Sequence, residues 1–427
     1  MLEQTPDIQV YEHELLPNRP NASGKFLTRA QYLRLCQYNE QHGSKYFMSR
    51  TNGIKFRQYV GVIQVGHLTL EILPKTDHEG ADWRSFLLDM LDACHKVKRE
   101  VTSSAKLKQR ANSLLDLYLQ ILLDEVQAVV GKGLVKQYGR KRSQQKALRG
   151  KLLIEEQLRK NFIHQERFFT EHPYYTVDNV YNQVLKKALQ IICTLPCDRF
   201  YQKSAEQLLS YFSRVRDLST VSSTLFDRLS FDRNKRYYFD AIQIARLIIL
   251  NYSPDISSGA TSLLAILFDM NKLWEEYIYR QLLLMNHPEY TVTAQNRAVF
   301  WKSSQYERGI RPDIVLRKGE QTIVIDTKWK VIDQAKPSDE DLKQLFTYNI
   351  YWDCTHSLLL YPRTLNSPDN SPGTYSRGMP RKVPTEGEKD KEREDSSHQC
   401  SVCFVDIVGE DGRLKRNIGE EVLKVIS

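Results

Sequence analysis

Arg311-Pro-Asp313-Ile-Val-Leu-Arg-Lys-Gly-Glu320-Gln-Thr-Ile-Val-Ile-Asp326-Thr-Lys328-Trp-Lys330 is the stretch on which the reading of this chain turns. Ile314 to Leu316 and Thr322 to Ile325 are short β-branched and apolar runs. Arg317-Lys-Gly-Glu320 between them carries turn residues, so the stretch reads as a β-hairpin. Antiparallel pairing across that turn brings Asp313 toward Asp326. Residues two apart on a strand share a face, so Lys328 points the same way as Asp326. Two acids and an amine at one spot are suited to holding Mg²⁺ and activating water for phosphodiester hydrolysis. The bare Asp-x-Lys pattern is not specific. It recurs at Asp341-Leu-Lys343, and Pro-Asp recurs at 254–255 and 368–369. The competing reading is a surface hairpin with solvated charges. Against it stands an apolar strand that runs directly into Asp326.

Two flanking segments add to the hairpin. Downstream, Asp339 to Trp352 has the apolar stripe of a helix at Leu342, Leu345, Phe346 and Ile350, with acids in its first turn. Gln344 and Tyr348 are four apart and share a face of it. Upstream, Leu263 to Leu284 reads as one helix containing Trp274-Glu275-Glu276-Tyr277, from which a Glu could reach the metal or order its water.

In these residues the chain resembles the PD-(D/E)xK nucleases. More narrowly, it resembles McrC, the nuclease subunit of McrBC-type modification-dependent restriction systems. The resemblance rests on Gly53-Ile-Lys-Phe-Arg57-Gln-Tyr59-Val-Gly61 through Pro74-Lys75, and on Leu148-Arg149-Gly150-Lys151. It rests also on Tyr174-Tyr175-Thr-Val-Asp178 with Asn182, on Leu273 to Tyr277, on the Pro312-Asp313 hairpin and on Gln344-x-x-x-Tyr348. It implies that Asp313 and Asp326 bind the metal, with Thr327 beside them. It implies that Lys328 orients or deprotonates the attacking water, that Glu275 is the helix acid, and that Gln344 and Tyr348 form an accessory motif near the scissile backbone. The implied ion is Mg²⁺, with Mn²⁺ as a substitute; hard oxygen ligands and no nearby His or Cys agree with that. The resemblance also implies a partner, an McrB-like hexameric AAA+ GTPase whose pore receives the N-terminal part of the chain. Arg57 and Lys75 are the residues expected to touch that ring.

Composition agrees with a soluble, multidomain, nucleic-acid-handling protein. At 427 residues, two or three domains are expected. No apolar run reaches the ~18–20 residues that span a bilayer, and no signal peptide is evident at the start. The seven cysteines are odd in number and scattered, which suggests free thiols in the cytoplasm. Cys193/Cys197 and Cys400/Cys403 lack further ligands for zinc.

The net charge is +9, with 61 basic against 52 acidic residues. Much of it collects between Lys132 and Lys160. Arg140, Lys141, Arg142, Lys146, Arg149 and Lys151 are the expected contacts to a DNA backbone, partly on a loop; the alternative is a solvated helix face.

The expected fold is α+β and multidomain. Residues 1–80 form a β-rich N-terminal domain with a GTPase-contacting hairpin at 53–75, turning near Gly66. Residues 81–265 are a mostly helical linker and DNA-contact region. Residues 266–427 are an α/β PD-(D/E)xK nuclease core with a mixed sheet, interrupted by a polar, flexible insertion at 364–399. No Gly-x-x-x-x-Gly-Lys-Ser/Thr loop is present, so GTP has no site on this chain. The expected function is a Mg²⁺-dependent endonuclease that cuts modified double-stranded DNA and stimulates a partner GTPase. The alternatives are a non-catalytic GTPase-stimulating adaptor and a stand-alone nuclease.

Overall fold

In the computed structural model the described residues are 8–20, 24–74, 82–94, 113–219, 221–253, 262–330, 332, 336–364, 367–376, 395–409 and 411–426. They form a mixed α/β protein with several sheets. The Asp313 hairpin is present as read: strands Ile314–Lys318 and Gln321–Thr327 pair antiparallel, with Ile314 opposite Ile325. Lys318 pairs with Gln321, so Gly319-Glu320 is the two-residue connection, and Gly319 supplies the positive φ of 59° it needs. This hairpin sits within a six-stranded mixed sheet. Its order is Thr291–Ala294, Ile314–Lys318, Gln321–Thr327, His356–Pro362, Asp395–Val405 and Ser371–Ser376. Strands 321–327, 356–362 and 395–405 run parallel, and the outer ones antiparallel.

Alternation divides the hairpin's side chains between two cores. Ile314, Leu316, Ile323 and Ile325 enter the largest core. Val315 and Val324 enter a smaller one with Leu345 and Tyr348 of the helix Asp339–Tyr351. Asp313, Asp326 and Lys328 follow the period of Val315 and Val324, so they face that helix.

A second sheet has the order Ile8–Tyr11, Leu68–Leu73, Tyr59–Val65, Leu263–Asp269 and Tyr252–Ser253. Here two expectations need correction. First, Leu263–Asp269 is a strand, and the helix begins only at Met270, running to Leu284. Its apolar residues are buried on both faces against the strand Tyr59–Val65. A short, uninterrupted apolar run carries no period that separates a buried strand from a buried helix. Gly61 makes this pairing close: at φ 136° it stands opposite Leu267, and a Cβ there would collide with the Ile266 carbonyl oxygen. The N-terminal sheet is therefore completed by Tyr252–Ser253 and Leu263–Asp269 and is not closed within 1–80.

Second, the 53–75 segment does not project. Its strands Tyr59–Val65 and Leu68–Leu73 do form a hairpin, but all but Tyr59 are buried. Arg57 lies half-buried beside them, its backbone N–H bonded to the Tyr46 carbonyl, 3.1 Å. Lys75 lies outside the described residues.

The helices Trp83–Ala93, Leu114–Lys132, Val180–Thr194, Arg199–Leu209 and Phe239–Asn251 fill the space beneath both sheets with Leu, Ile, Val and aromatic side chains. The middle region is not all helical, however. Gln137–Gln145 and Phe168–Thr176 are paired strands, joined by the short strand Lys151–Leu152 and the helix Ile154–Asn161, and they form a separate arm. In the expected insertion, Ser371–Ser376 and Asp395–Val405 are paired strands; residues 377–394 lie outside the described set. Among the described residues no helix is long and apolar enough to cross a membrane. The seven cysteines are free.

Candidate active site

Register places Asp313 one step beyond the Ile314–Ile325 pair, and so beside Asp326. Thr327 fixes Asp313: its backbone N–H and its hydroxyl both donate to Asp313 Oδ2, at 2.7 and 2.9 Å. The Thr327 hydroxyl is thus committed as a donor to the first acid. Asp326 is 2% exposed and its Oδ2 lies 2.7 Å from Lys328 Nζ. The ammonium sits near that oxygen but outside good hydrogen-bond direction, so Oδ2 is buried with an ionic neighbour and no directed bond.

Burial, reinforced by the nearby Glu275 charge, pushes the Asp313 carboxyl up to about 6. Burial and then Asp313 push Asp326 up to about 7. Lys328 is moved the other way from what burial alone would do: Asp326 and Asp341 together hold its ammonium form and raise it. Two adjacent carboxylates whose ionisation is penalised by burial and by neighbouring acids are the kind of perturbed pair found at functional sites.

The sequence does not mark Asp341, because its Asp-x-Lys stands inside a helix. The structure brings it to the site. Ser338 caps that helix by accepting from the Asp341 N–H, 3.2 Å, and turns the carboxylate toward the sheet. Asp341 Oδ1 lies 3.3 Å from Lys328 Nζ, and its Oδ2 lies 2.7 Å from Lys330 Nζ. Lys328 is therefore held between two acids. No local spacing signals this, because the pairing is across the sheet–helix interface.

Gln344 and Tyr348 do meet. Gln344 Nε2 donates to the Tyr348 hydroxyl at 2.6 Å, and that hydroxyl donates to the Arg311 carbonyl at 2.9 Å. The pair thus tethers the backbone just before Asp313. Glu275 stands on the helix Met270–Leu284, where Oε1 accepts from Gln295 Nε2 at 3.0 Å. Gln295, also unmarked in the sequence, has φ 54° and donates its N–H to the Asp313 carbonyl, 3.1 Å. Its own Oε1 accepts from Arg311, 3.4 Å. A non-glycine residue held at positive φ beside the acids is a local strain of the kind found at functional sites. Glu275, Gln295 and Arg311 line one cleft of about 780 Å³.

A metal cage is not ready-made: among the described residues no three His, Cys, Asp or Glu side chains form one. That is compatible with Mg²⁺, which keeps several waters and uses one or two carboxylates with substrate phosphates.

The basic tract lies on the arm. Arg142 Nε pairs with Glu171 Oε2 at 2.7 Å and Arg140 with its Oε1 at 3.5 Å, so these two charges are partly offset across the sheet. Lys141, Lys146, Arg149 and Lys151 are exposed. Gly150, at φ 79°, lets the chain pass against Glu171, where a Cβ would collide with the carbonyl oxygen. Beside the bases are exposed apolar residues, among them Leu158, Phe162 and Ile163. The arm is bound to the body through Asn182, whose amide donates to the Val135 and Val177 carbonyls at 3.0 and 2.6 Å. Tyr238 in turn donates to Asn182 Oδ1, 2.6 Å.

A family model described as "McrBC 5-methylcytosine restriction system component" matches residues 54–362. No curated protein matches the chain. Among solved structures, the chain is similar to one described as a refined half-complex from a tetradecameric assembly of Thermococcus gammatolerans McrB AAA+ hexamers with bound McrC. Identity there is 20% and the TM-score 0.70, over 98% of this chain and 100% of that chain. It is also similar to a chain of the Thermococcus gammatolerans McrBC complex, at 23% identity and TM-score 0.52, over 65% of this chain and 87% of that one. At those identities the structures speak for the fold. The family match spans most of the chain, including both acids, Lys328 and the Gln344–Tyr348 pair, and by it this chain belongs to the McrBC 5-methylcytosine restriction system components.

Proposed function

We propose that this chain is the nuclease subunit of an McrBC-type restriction complex, a Mg²⁺-dependent endonuclease of PD-(D/E)xK type acting on modified double-stranded DNA. The observation that carries the reading is the convergence of Asp313, Asp326 and Lys328 on one face of the sheet, with both carboxyls held above their ordinary range by burial, reinforced by Glu275 at Asp313 and by Asp313 at Asp326. Asp313 and Asp326 would hold the ion, with waters and a substrate phosphate filling the remaining positions. When bound, the ion offsets phosphate charge and lowers the pKa of water. Thr327 keeps Asp313 oriented. Lys328, held as ammonium by Asp326 and Asp341, places positive charge where the phosphorane forms and orients the attacking water. Tyr348 and Gln344 hold the Arg311 backbone so that Asp313 keeps its place.

The test is Mg²⁺-dependent cleavage of methylated plasmid by the chain with its AAA+ partner. Asp326→Ala abolishes cutting while leaving GTP turnover of the partner stimulated. Cutting that persists would overturn the site assignment.

The proposed partner is an McrB-like GTPase ring. The buried 53–75 hairpin is badly placed to reach it. The arm supports the contact better, because it carries exposed apolar side chains, among them Leu158, Phe162 and Ile163, with adjacent bases. Phe162→Asp with Ile163→Asp should lose GTPase stimulation; unchanged GTP turnover would reject the arm as the contact.

A further inference from the structure

Immediately before Asp313 the chain makes a second hairpin that no step above uses. Ala298–Lys302 pairs antiparallel with Glu307–Ile310, as a two-stranded sheet of its own. Such a hairpin is marginal without other support. Here Ser303 organises the turn, accepting from the Gln305 and Tyr306 N–H groups at 3.2 Å each, while its own N–H donates to the Tyr306 carbonyl at 2.9 Å. Ile310 at its end packs against the smaller core, but the aromatic side chains belong to none: Phe300, Trp301 and Tyr306 are 49%, 47% and 55% exposed. Trp301 and Tyr306 lie 5.3 Å apart, centroid to centroid, and Arg308 sits 5.6 Å from the Tyr306 ring, directly across from Trp301.

The charge beside these rings is positive. Arg297, Arg308 and Arg311 are exposed, and none is ion-paired among the described residues. The one acid of the hairpin, Glu307, is neutralised by Lys302 at 2.7 Å. The hairpin is also coupled to the candidate site. Ile310 is three residues from Asp313, Arg311 donates to Gln295, and Tyr351 of the neighbouring helix donates its hydroxyl to the Phe300 carbonyl, 3.2 Å. Exposed aromatic rings interleaved with cations fit unstacked nucleobases with their flanking phosphates.

We infer that the 298–310 hairpin is a base-stacking platform that engages unpaired or unstacked DNA bases beside the acid pair, through Trp301 and Tyr306, with Arg308 and Arg297 on the neighbouring phosphates. The inference rests on reading the acid pair as a DNA-cleaving site. Its consequence is that the chain holds locally opened DNA more tightly than an intact duplex.

The experiment uses the full chain in EDTA, so that nothing is cut. It measures anisotropy of a fluorescein-labelled duplex carrying a short bubble of unpaired thymidines, against the same duplex fully paired. Trp301→Ala with Tyr306→Ala should weaken bubble binding roughly tenfold to a hundredfold, with a much smaller loss on paired DNA. Arg308→Ala should flatten the logarithmic salt slope by about one, which the aromatic variants leave unchanged. Trp301→Phe retains most of the affinity and removes the indole quench seen on bubble binding. Trp301 and Tyr306 are about half exposed, so all variants should melt with the parent chain; the single variants Trp301→Ala and Tyr306→Ala, each with a smaller loss on the bubble, serve if the alanine pair does not. Unchanged bubble affinity, or an equal loss on both duplexes, overturns the inference. So does a loss confined to partner-ring binding, which would make the hairpin a protein contact. Mg²⁺-dependent cleavage by the parent chain with its partner separates the two claims. If the parent chain binds the bubble through Trp301 yet never cuts, or if Asp326→Asn still cuts, the cleavage reading falls and the platform stands.

Discussion

Trp329 Nε1 donates to Glu12 Oε1 at 2.7 Å, joining residues 317 positions apart in a buried hydrogen bond. Glu12 follows the first strand of the N-terminal sheet, and its N–H bonds the Leu73 carbonyl, 2.9 Å. Trp329 follows Lys328 and packs against Phe86 and Trp274. The two sheets are thus locked together one residue from the candidate lysine. Trp329→Phe keeps most of the ring packing but removes this donor from a buried carboxylate. A loss of about 1–3 kcal/mol of unfolding free energy is expected, read from denaturant titration at constant slope. A stability equal to the parent chain would show that the bond contributes nothing net.

The raised carboxyls give a pH signature with a definite sign. A carboxyl whose folded pKa lies above its unfolded value near 4 contributes stability that is fully present below pH 4. That contribution is lost as pH rises through about 6 for Asp313 and about 7 for Asp326. In EDTA, Asp326→Asn should therefore melt higher than the parent chain at pH 8, with the difference shrinking toward pH 4. Mg²⁺ should raise the melting temperature of the parent above pH 7 and not below pH 5. A difference independent of pH would mean that Asp326 is not ionising in this range.

Asp341 shares Lys328 with Asp326, at 3.3 and 2.7 Å. Asp341→Asn removes one of the two charges that raise the lysine. The alkaline limb of the pH–rate profile should move to lower pH, and cleavage near neutrality should fall by about tenfold, the value of ~1.4 kcal/mol in transition-state energy. A rate loss with an unmoved profile would make Asp341 a purely structural cap.

Tyr348→Phe deletes the hydroxyl that links Gln344 to the Arg311 carbonyl. Because the residue acts through the backbone before Asp313, cleavage should fall while DNA affinity stays unchanged, at a stability cost of about 0.5–1.5 kcal/mol. Reduced affinity with an intact single-turnover rate would place Tyr348 on the DNA instead.

Charge reversal at Lys141 and Lys146 should weaken DNA binding and reduce its salt slope by about one for each phosphate no longer neutralised. Arg142 is a poorer choice, since its guanidinium is already held by Glu171. A salt slope equal to that of the parent would return this part of the arm to ordinary solvated surface.

Part of this architecture is legible along the chain, and the parts have a common character. The Asp313 hairpin is legible because two β-branched runs flank the turn residues Arg317 to Glu320, and a period of two then assigns every side chain to a face. The helices Val180–Thr194 and Phe239–Asn251 are legible for the same local reason, a clear apolar stripe. Leu263–Asp269 reads as helix because a strand buried on both faces has no stripe. The arm reads as loop or helix because its interior is polar. Asn161, 2% exposed, bonds Gln144 and Gln157, at 2.6 and 2.9 Å, in place of an apolar core.

Local chemistry by itself determined the turn, the strands and the face that Asp313, Asp326 and Lys328 share, since these depend on neighbours within a few residues. Only the tertiary structure decided that Asp341 would hold Lys328, that Gln295 would bridge Glu275 to the Asp313 backbone, and that Glu12 would meet Trp329. It also decided that the 53–75 hairpin would be interior and the basic tract a projecting sheet. Those outcomes depend on which surfaces pack together, and packing is set by apolar area and shape summed over the whole chain, which no short window of residues contains.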